Sequence, residues 1–154
     1  MAFEDRDFSV VNTPLPHWTR VCPSDPGWLY ILRNGDLLKV GKTRNPQRRL
    51  FREARTWLPD GEVIGVKPFW NIHELERVLL CGIAQFWYAG EWHSFPDQSW
   101  STSLIDGFRL FDDQDRNKNS VDFSYWISGS GMGESIMEQN HRKVSLRRFQ
   151  RDGC

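Results

Sequence analysis

Cysteine is scarce and odd in number: Cys22, Cys81 and Cys154 are the three in 154 residues. None falls at the short spacing of a metal-ligand pair, and an odd count closes no complete disulfide framework. A reduced, cytoplasmic setting is the simplest expectation. No apolar run approaches the ~20 residues of a membrane span, so no membrane partner is expected. The N-terminal Met-Ala-Phe-Glu-Asp-Arg-Asp has no signal-peptide pattern. There is no internal repeat and no long low-complexity segment. Net charge is also missing, with 20 basic residues against 20 acidic ones. The total therefore gives no hint of a nucleic-acid partner.

The distribution of charge does give one. Residues 1–26 hold two basic and four acidic side chains, and residues 27–95 ten and seven. Residues 96–124 hold three and six, and residues 125–154 five and three. Seven cations stand between Lys39 and Arg55 against one acid, Glu53. Local density matters more than the sum when a polyanion is bound. Aromatics are plentiful, with eight tryptophans, ten phenylalanines and three tyrosines. Most are expected to fill a small core, and the rest to stack on bases or anchor a protein.

The length suits one domain with extensions. Thr13-Pro14-Leu15-Pro16 and Cys22-Pro23-Ser24-Asp25-Pro26 exclude a long helix, so residues 1–26 read as an extended arm pinned by Phe8 and Trp18. Leu29–Leu32 and Leu37–Val40 flank Arg33-Asn34-Gly35-Asp36, a hairpin signal centred on Asn34-Gly35 in a type I′ turn. Asn45 is a candidate N-cap and Pro46 a first helical residue for a basic helix. After a turn at Leu58-Pro59-Asp60-Gly61, Glu62–Trp70 reads as a strand whose Pro68 points to a sheet edge. Asn71 and Glu74 form a capping-box pattern ahead of a helix with an apolar stripe at Leu75, Leu79, Ile83 and Phe86. Gly90–Phe95 closes this region as a strand.

Beyond Pro96, Leu104, Phe108 and Phe111 recur at helical intervals within Ser99–Phe111. Asp112–Asn119 reads as a polar loop; its sixth position lacks glycine and its twelfth lacks an acid, which argues against a calcium loop. Val121–Ile127 alternates as a strand, Gly129–Gly133 is a loop, and the last twenty residues form a basic tail. Its cations Arg142, Lys143, Arg147, Arg148 and Arg151 offer a second phosphate track or a protein-docking patch.

Trp28-Leu29-Tyr30, Lys39-Val40-Gly41, an arginine eight residues later, a glutamate on the second helix and Gly90-Glu-Trp-His-Ser-Phe95 follow one another in order. That series resembles the GIY-YIG nuclease superfamily, in the bacterial and phage branch that carries lysine in the second motif. The resemblance covers residues 27–95. It does not reach residues 96–154, which are expected as an extension packing on or next to the domain. It implies a small α/β domain with a central antiparallel sheet flanked by helices. It implies a metal-dependent endonuclease hydrolysing phosphodiester bonds in DNA, with RNA as the alternative substrate, in a phage-encoded protein of the host cytoplasm.

In that reading Glu76 holds one Mg²⁺ or Mn²⁺ ion, because a single carboxylate completed by water and phosphate suits a hard cation. Arg49 sits against the scissile phosphate as an always-charged, bidentate donor. Tyr30 orients the attacking water, and Lys39 and Lys42 stand close enough in sequence to act on its phenol. Lys39 either polarises nucleophile or phosphate, or weakens cleavage by replacing the second tyrosine. Arg44, Arg48, Arg52 and Arg55 extend the cluster as a phosphate track. The competing reading is a non-catalytic protein of the same fold that binds nucleic acid or inhibits a host or defence protein, with the C-terminal extension as a protein-docking surface.

Overall fold

The computed structural model describes residues 7–53 and 60–129. It is an α/β domain built on a five-stranded sheet of order β3-β1-β2-β5-β4, every neighbouring pair antiparallel. The strands are β1 (Gly27–Asn34), β2 (Leu37–Thr43), β3 (Glu62–Phe69), β4 (Trp87–Ala89) and β5 (Trp92–Ser94). A π-helix covers Gln47–Glu53. Three α-helices follow: α1 (Ile72–Gly82), α2 (Gln98–Arg109) and α3 (Arg116–Gly129). No helix among the described residues is long and apolar enough to cross a membrane.

The first hairpin forms where its pattern places it, with one shift. Asn34 pairs with Leu37, so the two turn residues are Gly35 and Asp36 rather than Asn34 and Gly35. Only Gly35 takes a positive φ, 61°, which is the requirement of a type II′ turn with glycine first. Strand β3 lies at the sheet edge, where Pro68 removes no ladder bond that a neighbour needs.

Strand alternation sends two sets of side chains to opposite faces. Leu29, Ile31, Leu38, Val40, Ile64 and Phe69 meet α1, α2 and α3 through Leu75, Val78, Leu79, Leu104, Phe108, Phe123 and Ile127. Tyr30, Leu32 and Val66 form a smaller cluster on the other face, covered by Leu50 and Phe51 of the π-helix. The arm reaches this second face: Phe8 stacks on Phe51 at 5.4 Å, while Trp18 is largely exposed. Val11 then bridges to Asp115 and accepts from Arg116 N, holding the arm to the start of α3.

Helix α1 starts at Asn71, but the capping box does not form. Asn71 adopts φ 55° and makes no side-chain cap bond; its amide instead donates to Cys22 O at 2.9 Å. The arm supplies the cap, since Asp25 Oδ2 accepts from His73 N and Asp25 O from Ile72 N, both at 3.2 Å. Helix α2 begins at Asp97, whose carboxylate accepts from Ser99 N at 2.9 Å.

Val121–Ile127, expected as a strand, is helical, and the helix starts inside the expected 112–119 loop. Asp115 explains the start, because its Oδ1 accepts from Lys118 N at 3.0 Å in N-cap fashion. Asn119, Phe123 and Ile127, four residues apart, bury one helical face. The polar first member of that stripe hides it from a hydrophobicity pattern. Asn119 is fully buried and fully paired. Its amide donates to Pro68 O at 3.1 Å and Asp112 O at 2.7 Å, and its Oδ1 accepts from Asp112 N at 2.7 Å. Residues 98–129 thus complete the main core instead of resting beside it. Arg55, the Leu58-Pro59 part of the expected turn, the 130–133 loop and the basic tail lie outside the described residues.

Candidate functional site

The site is organised by β2 and its free edge. Strand β5 pairs with Leu37, Leu38 and Lys39 and then stops, so Val40–Thr43 has no strand beyond it among the described residues. Tyr30 lies opposite Gly41 on β1 and is 2 % exposed. Its ring rests directly over that glycine: a Cβ on Gly41 would stand 2.3 Å from both Cζ and the hydroxyl oxygen. The glycine of the second motif is therefore needed for the tyrosine of the first.

Lys39 shares the Tyr30 face, opposite Leu32 and Trp92. Its Nζ reaches Glu91 Oε2 at 2.6 Å. Arg49 lies half-buried on the π-helix, whose start is held by Asn45 Oδ1 accepting from Arg48 N at 3.1 Å. Lys42 stands opposite Leu29 and so belongs to the other face. There its Nζ donates to Glu76 Oε1 at 2.8 Å, with Glu76 carried in by α1.

The candidate residues do not gather in one cleft: they are split across the sheet. Tyr30, Lys39 and Arg49 come from the π-helix face, and Lys42 with Glu76 from the α1 face, because one residue of strand advance reverses side-chain direction. Charges from both parts act on Glu91: the hydrogen bond from Lys39 holds its carboxyl below the ordinary 4.5, burial opposes, and the charges of Lys39, Arg49 and Lys42 add to the lowering.

The surrounding cations divide. Arg48 and Arg52 are exposed on the π-helix, as a phosphate track requires. Arg44 is engaged by the Asp25 carboxylate of the arm. His73 is exposed on α1. His93 does not face a cleft: it is buried behind β5, opposite Leu38 and Trp87, and burial holds its pKa below 6.5 while backbone groups of Glu91 and Leu38 oppose.

Among the described residues no three His, Cys, Asp or Glu side chains gather as a metal-binding group. A site for Mg²⁺ or Mn²⁺ rests on Glu76 alone, 19 % exposed and facing an ammonium. One carboxylate with water and phosphate oxygens is a donor set that Mg²⁺ accepts, but the Lys42 ammonium at 2.8 Å occupies Glu76 Oε1 and must move aside for a divalent ion to bind there. Two residues of the cluster had no site role in the sequence reading, where Glu91 stood only within the Gly90–Phe95 motif and Asp25 only within the arm. Glu91 becomes visible only once β5 is paired with β2, and Asp25 only once the arm is folded onto α1. No family model, curated protein or solved structure matches the chain.

Proposed function

We propose that this protein is a metal-dependent endonuclease of GIY-YIG type that hydrolyses phosphodiester bonds in DNA. The observation that carries the reading is the Lys39–Glu91 contact at 2.6 Å, with the charges of Arg49 and Lys42 also acting on that carboxylate, beside a tyrosine seated over glycine. Arg49 and the two lysines offer positive charge to the non-bridging phosphate oxygens as the phosphorus centre gains charge. Tyr30 orients the attacking water through its hydroxyl. Glu76 would hold the divalent ion, which when bound supplies Lewis-acid polarisation of the phosphoryl oxygen. Arg48 and Arg52 carry the flanking backbone.

One observation favours the non-catalytic reading. Both lysines already have carboxylate partners, Lys39 with Glu91 and Lys42 with Glu76, which lowers the positive potential open to a polyanion. Plasmid nicking after chelation separates the two. Added Mg²⁺ or Mn²⁺ should restore nicking to the wild type and leave Glu76→Gln inactive, since glutamine keeps volume and helix propensity without the charge. Nicking by Glu76→Gln at the wild-type rate rejects this metal site; an inactive wild type with both ions favours the binder.

A further inference from the structure

The Lys39–Glu91 pair enters none of these roles as a pair. Glu91 sits between the three-residue strands β4 and β5 with its side chain 70 % exposed, yet the Lys39 side chain it holds is only 8 % exposed. A charge taken that far from water needs an anion beside it. A carboxylate presents two oxygens that share one negative charge, and so do the non-bridging oxygens of a phosphodiester. Glu91 therefore fills, with a group of the right charge and shape, the anion position against the Lys39 ammonium at 2.6 Å, where the charges of Arg49 and Lys42 also act.

We propose that Glu91 is the internal occupant of a phosphate-binding position: its carboxylate holds Lys39 when no substrate is present and gives way to a phosphodiester group. The proposal rests on reading the cluster as a phosphate site. The hairpin is suited to the exchange. Strand β5 is tied to β2 over three residues only, and β4 to β5 alone among the described residues. The turn carries Gly90 in a left-handed conformation at φ 59°. Short, thinly anchored elements open locally at low cost. Because one anion replaces another, each single phosphate gains little, and the site selects ligands that bring several phosphates together.

Calorimetric titration with inorganic tripolyphosphate tests this without relying on DNA. Glu91→Gln should bind roughly three- to tenfold more tightly than wild type, the range expected for releasing an ammonium from a partly exposed pair. Asp106→Asn, an equal charge change at an exposed position of α2, should alter affinity by less than about twofold. The gain should vanish when Lys39→Met is combined with Glu91→Gln. A gain no larger than that of Asp106→Asn, or one that survives without Lys39, overturns the proposal. A parallel titration with duplex oligonucleotide in chelator separates the two readings. A tripolyphosphate gain with no duplex binding by any variant sinks the nucleic-acid reading and leaves the role of Glu91 standing.

Discussion

On one face of the sheet Lys39 reaches Glu91 at 2.6 Å; on the other Lys67 reaches Asp113, also at 2.6 Å. Both lysine side chains are 8 % exposed, and both partners are largely in water, at 70 % and 73 %. Bond length and burial do not tell the two pairs apart. Their surroundings do. Lys67 also donates to Arg109 O at 3.3 Å, and its charge adds to the backbone hydrogen bonds from Gln114 and Asp115 that hold the neighbouring Asp112 carboxyl low. It ties β3 to the α2–α3 connection, where the carboxylates of both Asp112 and Asp113 feel its charge. Lys39 instead stands in a field of further cations, where the carboxylate is the exception. The sign of the neighbouring charge separates a structural pair from one that can exchange its anion.

The largest expected effect lies on the Lys67 side. Asn119→Leu strands the backbone groups of Pro68 and Asp112 that the amide now satisfies. The cost should be about 3 kcal/mol or more, read as a lower urea midpoint, with duplex affinity unchanged under native conditions. A loss of affinity in the folded variant would blur the division between the two regions.

Gly41→Ala acts on the Lys39 side. With a Cβ 2.3 Å from the Tyr30 ring, the ring must move, at a cost of about 1–3 kcal/mol. Nicking should fall more than stability alone explains, because the displaced hydroxyl no longer faces the edge. A fully active Gly41→Ala would show that the position of Tyr30 does not matter to the chemistry.

A smaller effect sharpens the comparison at β5, the strand behind Glu91. Burial lowers the His93 pKa, so the unfolded chain takes up a proton that the folded chain refuses. Stability should be complete above the ordinary 6.5 and decline as pH falls through the lower folded value. His93→Phe should flatten that decline in denaturation midpoints between pH 7 and 5. An unchanged slope would assign the pH dependence to other groups.

The parts legible in the sequence were those governed by local chemistry. Two apolar runs flanking Asn34-Gly35 marked the hairpin, and the spacing of Leu75 and Leu79 marked α1. The parts that stayed hidden depend on distant partners. Asn119 reads as a loop residue until Pro68 and Asp112 are placed round it, and so α3 resembled a strand. Asn71 looked like a cap until Asp25 arrived from the arm to do that work. The site followed the same rule: each candidate residue could be named, but the split of Lys42 and Glu76 from Tyr30 and Lys39 depends on strand register and helix side. Sequence order carries neither.

The central claim is that the Lys39 cluster, and not its twin at Lys67, takes phosphate. Duplex-oligonucleotide affinity measured against salt in chelator, for Lys39→Met and Lys67→Met side by side, tests it most directly. Lys39→Met should bind several-fold more weakly, with the log–log salt slope reduced by roughly 0.9, the contribution of one phosphate contact. Lys67→Met should keep both the affinity and the slope of the wild type. Equal losses in the two variants, or a loss confined to Lys67→Met, would contradict the account.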